Sequence, residues 1–333
     1  MPESVRIPVE EGSQVAEARR VARKLANSAG LNSLCEEQVA IVVTEATTNI
    51  LKHAGAGEIL LNVTEGLQVE VLALDRGPGM DDLNLCLGNG YSTAGSPGHG
   101  LGAIVRLSAQ SDFHTAPHRG TALLARWNSG ANPRETGPGS VLRIGAVSIR
   151  KRGQDVCGDS WAAEQNGEIT TVMVADGLGH GQEASIASCH AVRILRENPD
   201  VSPLGLLDLA HRALRSSRGA AISIARIDRG KENITFCGVG NVAAQAYSGS
   251  RSARHLVCTS GTAGHEVRRP REFIYPWPEN GLLVIHSDGL STSTGLIDQP
   301  SLALRDSTLI AGVLYRDFAR GNDDATVVVL KAA

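Results

Sequence analysis

Aromatic side chains make up only 3% of the 333 residues. A chain so poor in flat rings has few platforms on which nucleobases could stack. An excess of one charge is missing as well. Its 32 basic and 35 acidic residues give a formal net charge of −3, which leaves no electrostatic footprint for a nucleic acid. No apolar run nears the length that crosses a bilayer, and Met1-Pro-Glu-Ser4 does not read as a secretory leader. The six cysteines (Cys35, Cys86, Cys157, Cys189, Cys237, Cys258) are scattered, without one Cys-x-x-Cys pair. That pattern suits reduced, mostly buried thiols in a cytoplasm. The expectation is a cytoplasmic protein with neither nucleic acid nor membrane as partner.

What is present is a hydrophobic fraction of 42%, enough for packed cores, in a chain long enough for two domains. The clearest boundary is the stretch from Asn128 to Ser140, rich in Gly, Pro and Ser and without apolar periodicity. Domains are therefore expected at 1–128 and 141–333, joined by a linker at 129–140. The first segment reads as a strand (Val5–Val9), a helix (Val15–Ala29) and a second helix from Glu36 to Lys52. That second helix buries Val39, Val42, Val43, Ala46 and Ile50 at helical spacing. A hairpin follows, Glu58–Thr64 and Gln68–Leu74 around Glu65-Gly66, then a Gly-rich stretch, a short helix (Leu101–Gln110) and a final strand or strand pair. The second segment reads as strands at 141–149, 169–175, 220–228, 233–239, 282–287 and 325–331. Helices are expected at 183–197, 203–216 and 306–319. Strands outnumber helices, so an antiparallel α+β sandwich fits better than a doubly wound parallel sheet.

Two constellations carry chemistry. In the first, Glu45 and Asn49 share a helix face four residues apart. They could be a solvated polar stripe, or a carboxylate able to accept a hydroxyl proton beside an amide oxygen able to hold Mg²⁺. Asp75 ends a strand, where its carboxylate can accept from an exocyclic amine such as that of adenine. Gly77 and Gly79 let a base or phosphate approach the backbone. Gly98-His-Gly-Leu-Gly102, with its third glycine Gly100 between, opens a helix whose N–H groups suit phosphate oxygens. The second constellation is four acidic sites beside buried-strand compositions: Asp159, Asp176-Gly177, Asp288 and the pair Asp323-Asp324. Each Asp-Gly could be a turn. Several unpaired carboxylates at the mouth of an apolar sandwich instead suggest Mg²⁺ or Mn²⁺ on oxygen ligands.

Glu45-Ala-Thr-Thr-Asn49, Asp75-Arg-Gly-Pro-Gly79 and Gly98-His-Gly-Leu-Gly102 resemble, in order and spacing, the three boxes of GHKL ATPases, in particular anti-sigma-factor serine kinases of the RsbT/RsbW kind. The resemblance implies an α/β sandwich, a mixed sheet with helices on one face, that binds ATP with Mg²⁺. Asn49 would hold the metal, Glu45 would be the catalytic base, Asp75 would read adenine, and Gly77 to Gly100 would form an ATP lid. Cys157-Gly-Asp-Ser160, Ala175-Asp-Gly-Leu-Gly-His-Gly181, Gly238-Val-Gly-Asn241, His286-Ser-Asp-Gly289 and Asp323-Asp-Ala-Thr326 resemble the SpoIIE/RsbX-like type 2C metal-dependent phosphatases. That resemblance implies a β-sandwich flanked by helices, with two Mn²⁺ or Mg²⁺ ions whose bound water attacks a phosphoserine or phosphothreonine. Asp176 would bridge both metals, the Gly177 carbonyl would complete one site, Asp288 and Asp323 would hold the second, and Asp159 would ligate directly or through water. Asp323 is favoured over Asp324. Arg150 and Arg152 are near the position from which larger relatives grip phosphate but not in register with it, so that role is left unassigned. Together the resemblances imply a partner-switching regulator acting on a small STAS-type anti-sigma antagonist or similar phosphoprotein, with a homodimer allowed. Whether the first domain is a kinase or an ATP-controlled docking module stays open.

Overall fold

The computed structural model describes residues 3–83, 100–129, 142–248, 253–278, 280–291 and 295–332. The chain divides into two compact units, residues 2–135 and 136–333. Apart from Ser129 and residue 142 onward, the expected linker and its far boundary lie outside the described residues.

In the first unit the order is β1 (Val5–Val9), α1 (Ser13–Ser28), α2 (Ser33–Asn49), β2 (Gly57–Val63), β3 (Gln68–Asp75), α3 (Gly100–Leu107), β4 (Gln110–Thr115) and β5 (Thr121–Asn128). The strands form one sheet in the order β1-β2-β3-β5-β4. Every one of its pairings is antiparallel, where the resemblance had implied a mixed sheet. The reason is local: the connections β2–β3 and β4–β5 are short hairpins, and none of the helices serves as a parallel crossover. Ala18, Ala22 and Ala26 recur every fourth residue on α1, so a stripe of small side chains lets it lie close on its neighbours. Asn32 caps α2 by accepting from the Cys35 N–H at 2.8 Å. From α2, Val39, Val42, Val43 and Ala46 join Ile59, Leu61, Val69 and Val71 of the sheet in one core.

The second unit holds β6 (Arg143–Ile149), β7 (Asp159–Asn166), β8 (Ile169–Gly177), α4 (Gln182–Glu197), α5 (Pro203–Ala213), β9 (Ala220–Asp228), β10 (Asn233–Val239), β11 (Ala243–Ser248), β12 (Ala253–His255), β13 (Phe273–Pro276), β14 (Gly281–His286), α6 (Ser307–Phe318) and β15 (Ala325–Lys331). Two antiparallel sheets result, β13-β10-β9-β8-β7 and β12-β11-β14-β15-β6. The alternation along β8 shows how they are filled. Val172 and Val174 face the second sheet and pack with Leu283, Ile285 and Val328. Met173 and Ala175 face outward onto Ala187, Ala191 and Leu195 of α4 and Leu206 of α5. On the other side α6 approaches β6 so closely that a Cβ on Gly145 would stand 2.0 Å from the Thr308 nitrogen. The α+β class stands, as a β-sandwich between helices. No helix among the described residues is long and apolar enough to cross a membrane.

Candidate metal and nucleotide sites

In the second unit the antiparallel register sets Asp159, first residue of β7, directly opposite Asp176 near the end of β8. The facing sheet brings its own acids to the same edge. Its β14 runs out into Ser287-Asp288-Gly289, and β15 starts just after Asp323-Asp324. The two ends are stitched together: the Ser287 N–H donates to the Thr326 carbonyl, and the Thr326 N–H to Ser287 Oγ, both at 3.0 Å. Gly289 has no room for a side chain, since a Cβ there would lie 1.8 Å from the Asp324 carbonyl oxygen. Asp159 crosses the gap, hydrogen-bonded by the Ser287 and Thr326 side chains. Acids of both sheets thus meet at one edge.

Burial and neighbouring carboxylates dominate their electrostatics. Burial, partly offset by those hydrogen bonds and reinforced by Asp324, pushes Asp159 up to about 7. Burial and then Asp159, Asp288, Asp323 and Asp324 push Asp176 up to about 9. Asp324 is raised as well, burial first. Oδ2 of Asp159 and Oδ2 of Asp324 are buried without a hydrogen-bond partner. Among the described residues no three acidic, histidine or cysteine side chains already close around one point. The donors are hard oxygens, two of them buried without a hydrogen-bond partner, which fits Mg²⁺ or Mn²⁺ and not zinc.

Asn241 Nδ2 donates to Asp288 Oδ2 at 2.5 Å and orients it. Asp323 is half-buried and its Oδ1 accepts the Asp324 N–H at 3.0 Å. Asp324, set aside in the sequence reading, is buried. Its Oδ1 accepts the Lys151 N–H at 2.8 Å, and its Oδ2 would be 2.7 Å from a Cβ on Gly158. It ties the turn before β7 to the start of β15. No local signal marks that job, because its partner lies far away in the chain.

In the first unit α2 passes at Ile50 into one π-helical turn, Ile50–Ala54, closed by the Gly55 N–H on the Ile50 carbonyl at 2.9 Å. Apolar spacing predicts an α-helix through Lys52, and in the structure it ends at Asn49. The wider turn follows Asn49 directly and carries Ala54 to Gly77, where a Cβ would lie 2.7 Å from the Ala54 Cβ. Glu45 and Asn49 are half-buried and face the first residue of α3. A Cβ on Gly100 would be 2.9 Å from Glu45 Oε2 and 3.5 Å from Asn49 Oδ1. Gly102 is buried two residues further along α3. Oδ1 of Asp75 accepts the Gly77 N–H at 2.8 Å and the Thr121 N–H at 3.1 Å. Gly79 has a φ of +74° and fits under the Ala116 carbonyl. Gly120, which the sequence reading missed, sits with a φ of +72° against the Asp75 carbonyl. Its only signal was a glycine just before an apolar strand. Gly98 and residues 84–99 of the expected lid lie outside the described residues.

Both units resemble known proteins. The model of the histidine kinase-like ATPase domain matches residues 7–127, and that of stage II sporulation protein E (SpoIIE) matches residues 166–333. The phosphoserine phosphatase RsbX of Bacillus subtilis (strain 168) is 30% identical over 146 residues, 43% of this chain and 72% of RsbX. The serine/threonine-protein kinase RsbT of the same organism is 28% identical over 119 residues, 34% of this chain and 88% of RsbT. A solved structure from work on the bacterial stressosome superposes with a TM-score of 0.53 at 25% identity, over 57% of this chain and 99% of its own. RsbX in complex with magnesium superposes with a TM-score of 0.51 at 21% identity, over 58% of this chain and 100% of its own, and speaks for the fold. The chain therefore belongs to the SpoIIE family, an Rsb-type partner-switching protein in which an RsbT-like kinase domain of the histidine kinase-like ATPase fold precedes an RsbX-like type 2C serine phosphatase domain.

Proposed function

We propose that this chain is a bifunctional partner-switching regulator, which removes phosphate from a phosphoserine or phosphothreonine of a small STAS-type protein and adds phosphate to a client of the same class. The observation that carries the reading is the meeting of Asp159, Asp176, Asp288 and Asp323 at one edge of the sandwich, with buried carboxylate oxygen left over. Two Mn²⁺ or Mg²⁺ ions, when bound there, supply an activated water and stabilise phosphoryl charge. The chain's own part is to hold and aim the ligands. Asp176 and the Gly177 carbonyl come from the end of β8, Asp288 is steadied by Asn241, and Asp159 by Ser287 and Thr326. Asp324 keeps the turn before β7 in place.

In the first unit Glu45 accepts the proton of the client hydroxyl, Asn49 presents its amide oxygen to the nucleotide's Mg²⁺, and Asp75 receives the adenine amine. Gly77 and Gly79 leave the backbone bare beside the base, and the start of α3 from Gly98 through Gly100 and Gly102 offers N–H groups to the phosphates. The client class rests on the family resemblance, and the choice of phosphoserine on the likeness to RsbX.

The test offers the purified chain a phosphorylated and an unphosphorylated STAS client, each with and without ATP, in the presence of Mn²⁺ and Mg²⁺. Phosphate release that falls roughly a hundredfold or more in Asp176→Asn is expected for the metal reading. ATP-dependent labelling of the client, absent in Glu45→Ala, is expected for the kinase reading. ATP binding with no transfer in the wild type would sink the kinase half and leave the first unit a docking module.

A further inference from the structure

We infer that Arg218 is the residue that grips the substrate phosphate in the second unit, a role the motifs leave unassigned. The inference rests on the phosphatase reading above. The charge at the site's edge makes such a residue necessary. Two divalent cations neutralise four of the five carboxylates Asp159, Asp176, Asp288, Asp323 and Asp324. No positive excess is then left for a phosphoester that carries a charge of about −2. A side-chain cation must supply it.

Three other arginines near the acids' strands, Arg150, Arg226 and Arg316, are committed elsewhere. Arg150 Nη1 donates to the Asp155 carbonyl at 3.1 Å, inside its own turn. Arg226 holds the Asp200 carbonyl at 2.9 Å, and Arg316 is buried on Asp317. Arg218 is exposed, and among the described residues its guanidinium has no hydrogen bond or ion pair. Its Nη1 would lie 3.0 Å from a Cβ on Gly179, the third residue after Asp176. Gly179, with a φ of +92°, leaves that space open.

The base of Arg218 is as fixed as its tip is free. The Leu178 N–H donates to the Gly219 carbonyl at 3.0 Å, binding the arginine's turn to the loop that leaves Asp176. The next strand, β9, continues that contact with Ala220 opposite Gly177 and Ala221 opposite Asp176. On the far side the Arg218 carbonyl accepts from His265 Nε2 at 2.8 Å, and Ala220 and Ala263 exchange both backbone hydrogen bonds. A short, anchored stem with an unpaired planar fork suits two parallel N–H bonds to non-bridging phosphate oxygens, leaving the bridging oxygen to the chemistry.

The experiment titrates inorganic phosphate into the Mn²⁺-loaded full chain by calorimetry, for wild type, Arg218→Ala, Arg218→Lys and Arg152→Ala, and measures turnover of a phosphoserine peptide alongside. Arg218→Ala is expected to weaken phosphate binding roughly tenfold or more and to raise KM more than it lowers kcat, with Mn²⁺ binding unchanged. Arg218→Lys recovers part of the affinity, since it keeps the charge but not the fork. Phosphate affinity unchanged in Arg218→Ala, or a loss found in Arg152→Ala instead, overturns the assignment. Failure of the phosphatase reading looks different. Wild type would then release no phosphate from the peptide above the level of Asp176→Asn, whatever the calorimetry gives.

Discussion

Gly79 and Gly100 lack a side chain for opposite reasons, and the difference is measurable. At Gly79 a Cβ would lie 2.0 Å from the Ala116 carbonyl oxygen, and φ is +74°. Neither backbone can yield, so Gly79→Ala should cost about 2 kcal/mol or more and lower the melting temperature of the first unit by several degrees. At Gly100 the obstacle is Glu45 Oε2 at 2.9 Å, the far end of a flexible side chain. The carboxylate can swing aside, so Gly100→Ala should leave stability within about 0.5 kcal/mol, as most substitutions away from packed cores do. Its effect belongs to function: ATP-dependent transfer to a client should fall while nucleotide binding, followed with a fluorescent analogue, changes less. Transfer at the wild-type rate in Gly100→Ala would show that Glu45 need not stand where it does.

Among elements, α6 approaches β6 closely. A methyl group at Gly145 would meet the Thr308 backbone in the first turn of α6, where Asp306 Oδ1 already accepts the Thr308 N–H at 2.8 Å. Gly145→Ala must therefore lift the capped end of α6, and overpacking of this kind costs about 1–3 kcal/mol. Loss of hydrogen-exchange protection in α6 and β6, with the strands of the other sheet unaffected, is the expected pattern. The same elements show what the chain discloses by itself. Strands β8, β9 and β15 are apolar enough to be read directly, and their expected ranges agree with the structure. β7 was missed because Ala162-Ala-Glu-Gln-Asn166 has little strand preference of its own, and it is a strand through its pairing with β8. β11, with Ala243-Ala-Gln-Ala-Tyr-Ser248, and the edge strand β12 escaped for the same reason, whereas β13, Phe273-Ile-Tyr-Pro276, favours a strand but is only four residues long and ends in proline. Apolar spacing likewise does not separate a π turn from the last turn of α2. At the sites, each acid stood out because it adjoins a strand end in sequence. What stayed hidden was long-range: the register that faces Asp159 with Asp176, the hold of Asp324 on Lys151, and the reach of Arg218 to Gly179.

Over the whole molecule, the two compact units should melt as separate transitions, and only the phosphatase unit should answer to Mn²⁺ and pH together. Its buried acids hold protons in the folded state that the unfolded chain releases above about pH 4. With the folded pKa of Asp176 at about 9, the native form keeps the extra proton up to that pH, so stability of the metal-free protein falls as pH rises. His286 acts the other way. Burial lowers its folded pKa, so its contribution grows as pH rises toward the ordinary histidine range and is constant above it. Asp159, raised to about 7, has lost most of its leverage by then. The buried thiols Cys157 and Cys237 weaken the fold in the same direction as Asp176, but mainly above the ordinary cysteine range, near pH 8.5. Between pH 7 and 8.5 the slope of the chelated protein then includes that of Asp176, of order 2 kcal/mol across the interval, with Asp324 raised in the same direction. Thermal melts in EDTA should show the second transition dropping by several degrees over that range. Saturating Mn²⁺ should raise the transition and remove most of its pH dependence, because ligation takes the place of the proton. Asp176→Asn should flatten the metal-free curve and shrink the Mn²⁺-induced rise. A metal-free transition that holds steady or climbs from pH 7 to 8.5 would mean that Asp176 is already ionised without a cation, and that the edge of the sandwich does not need one.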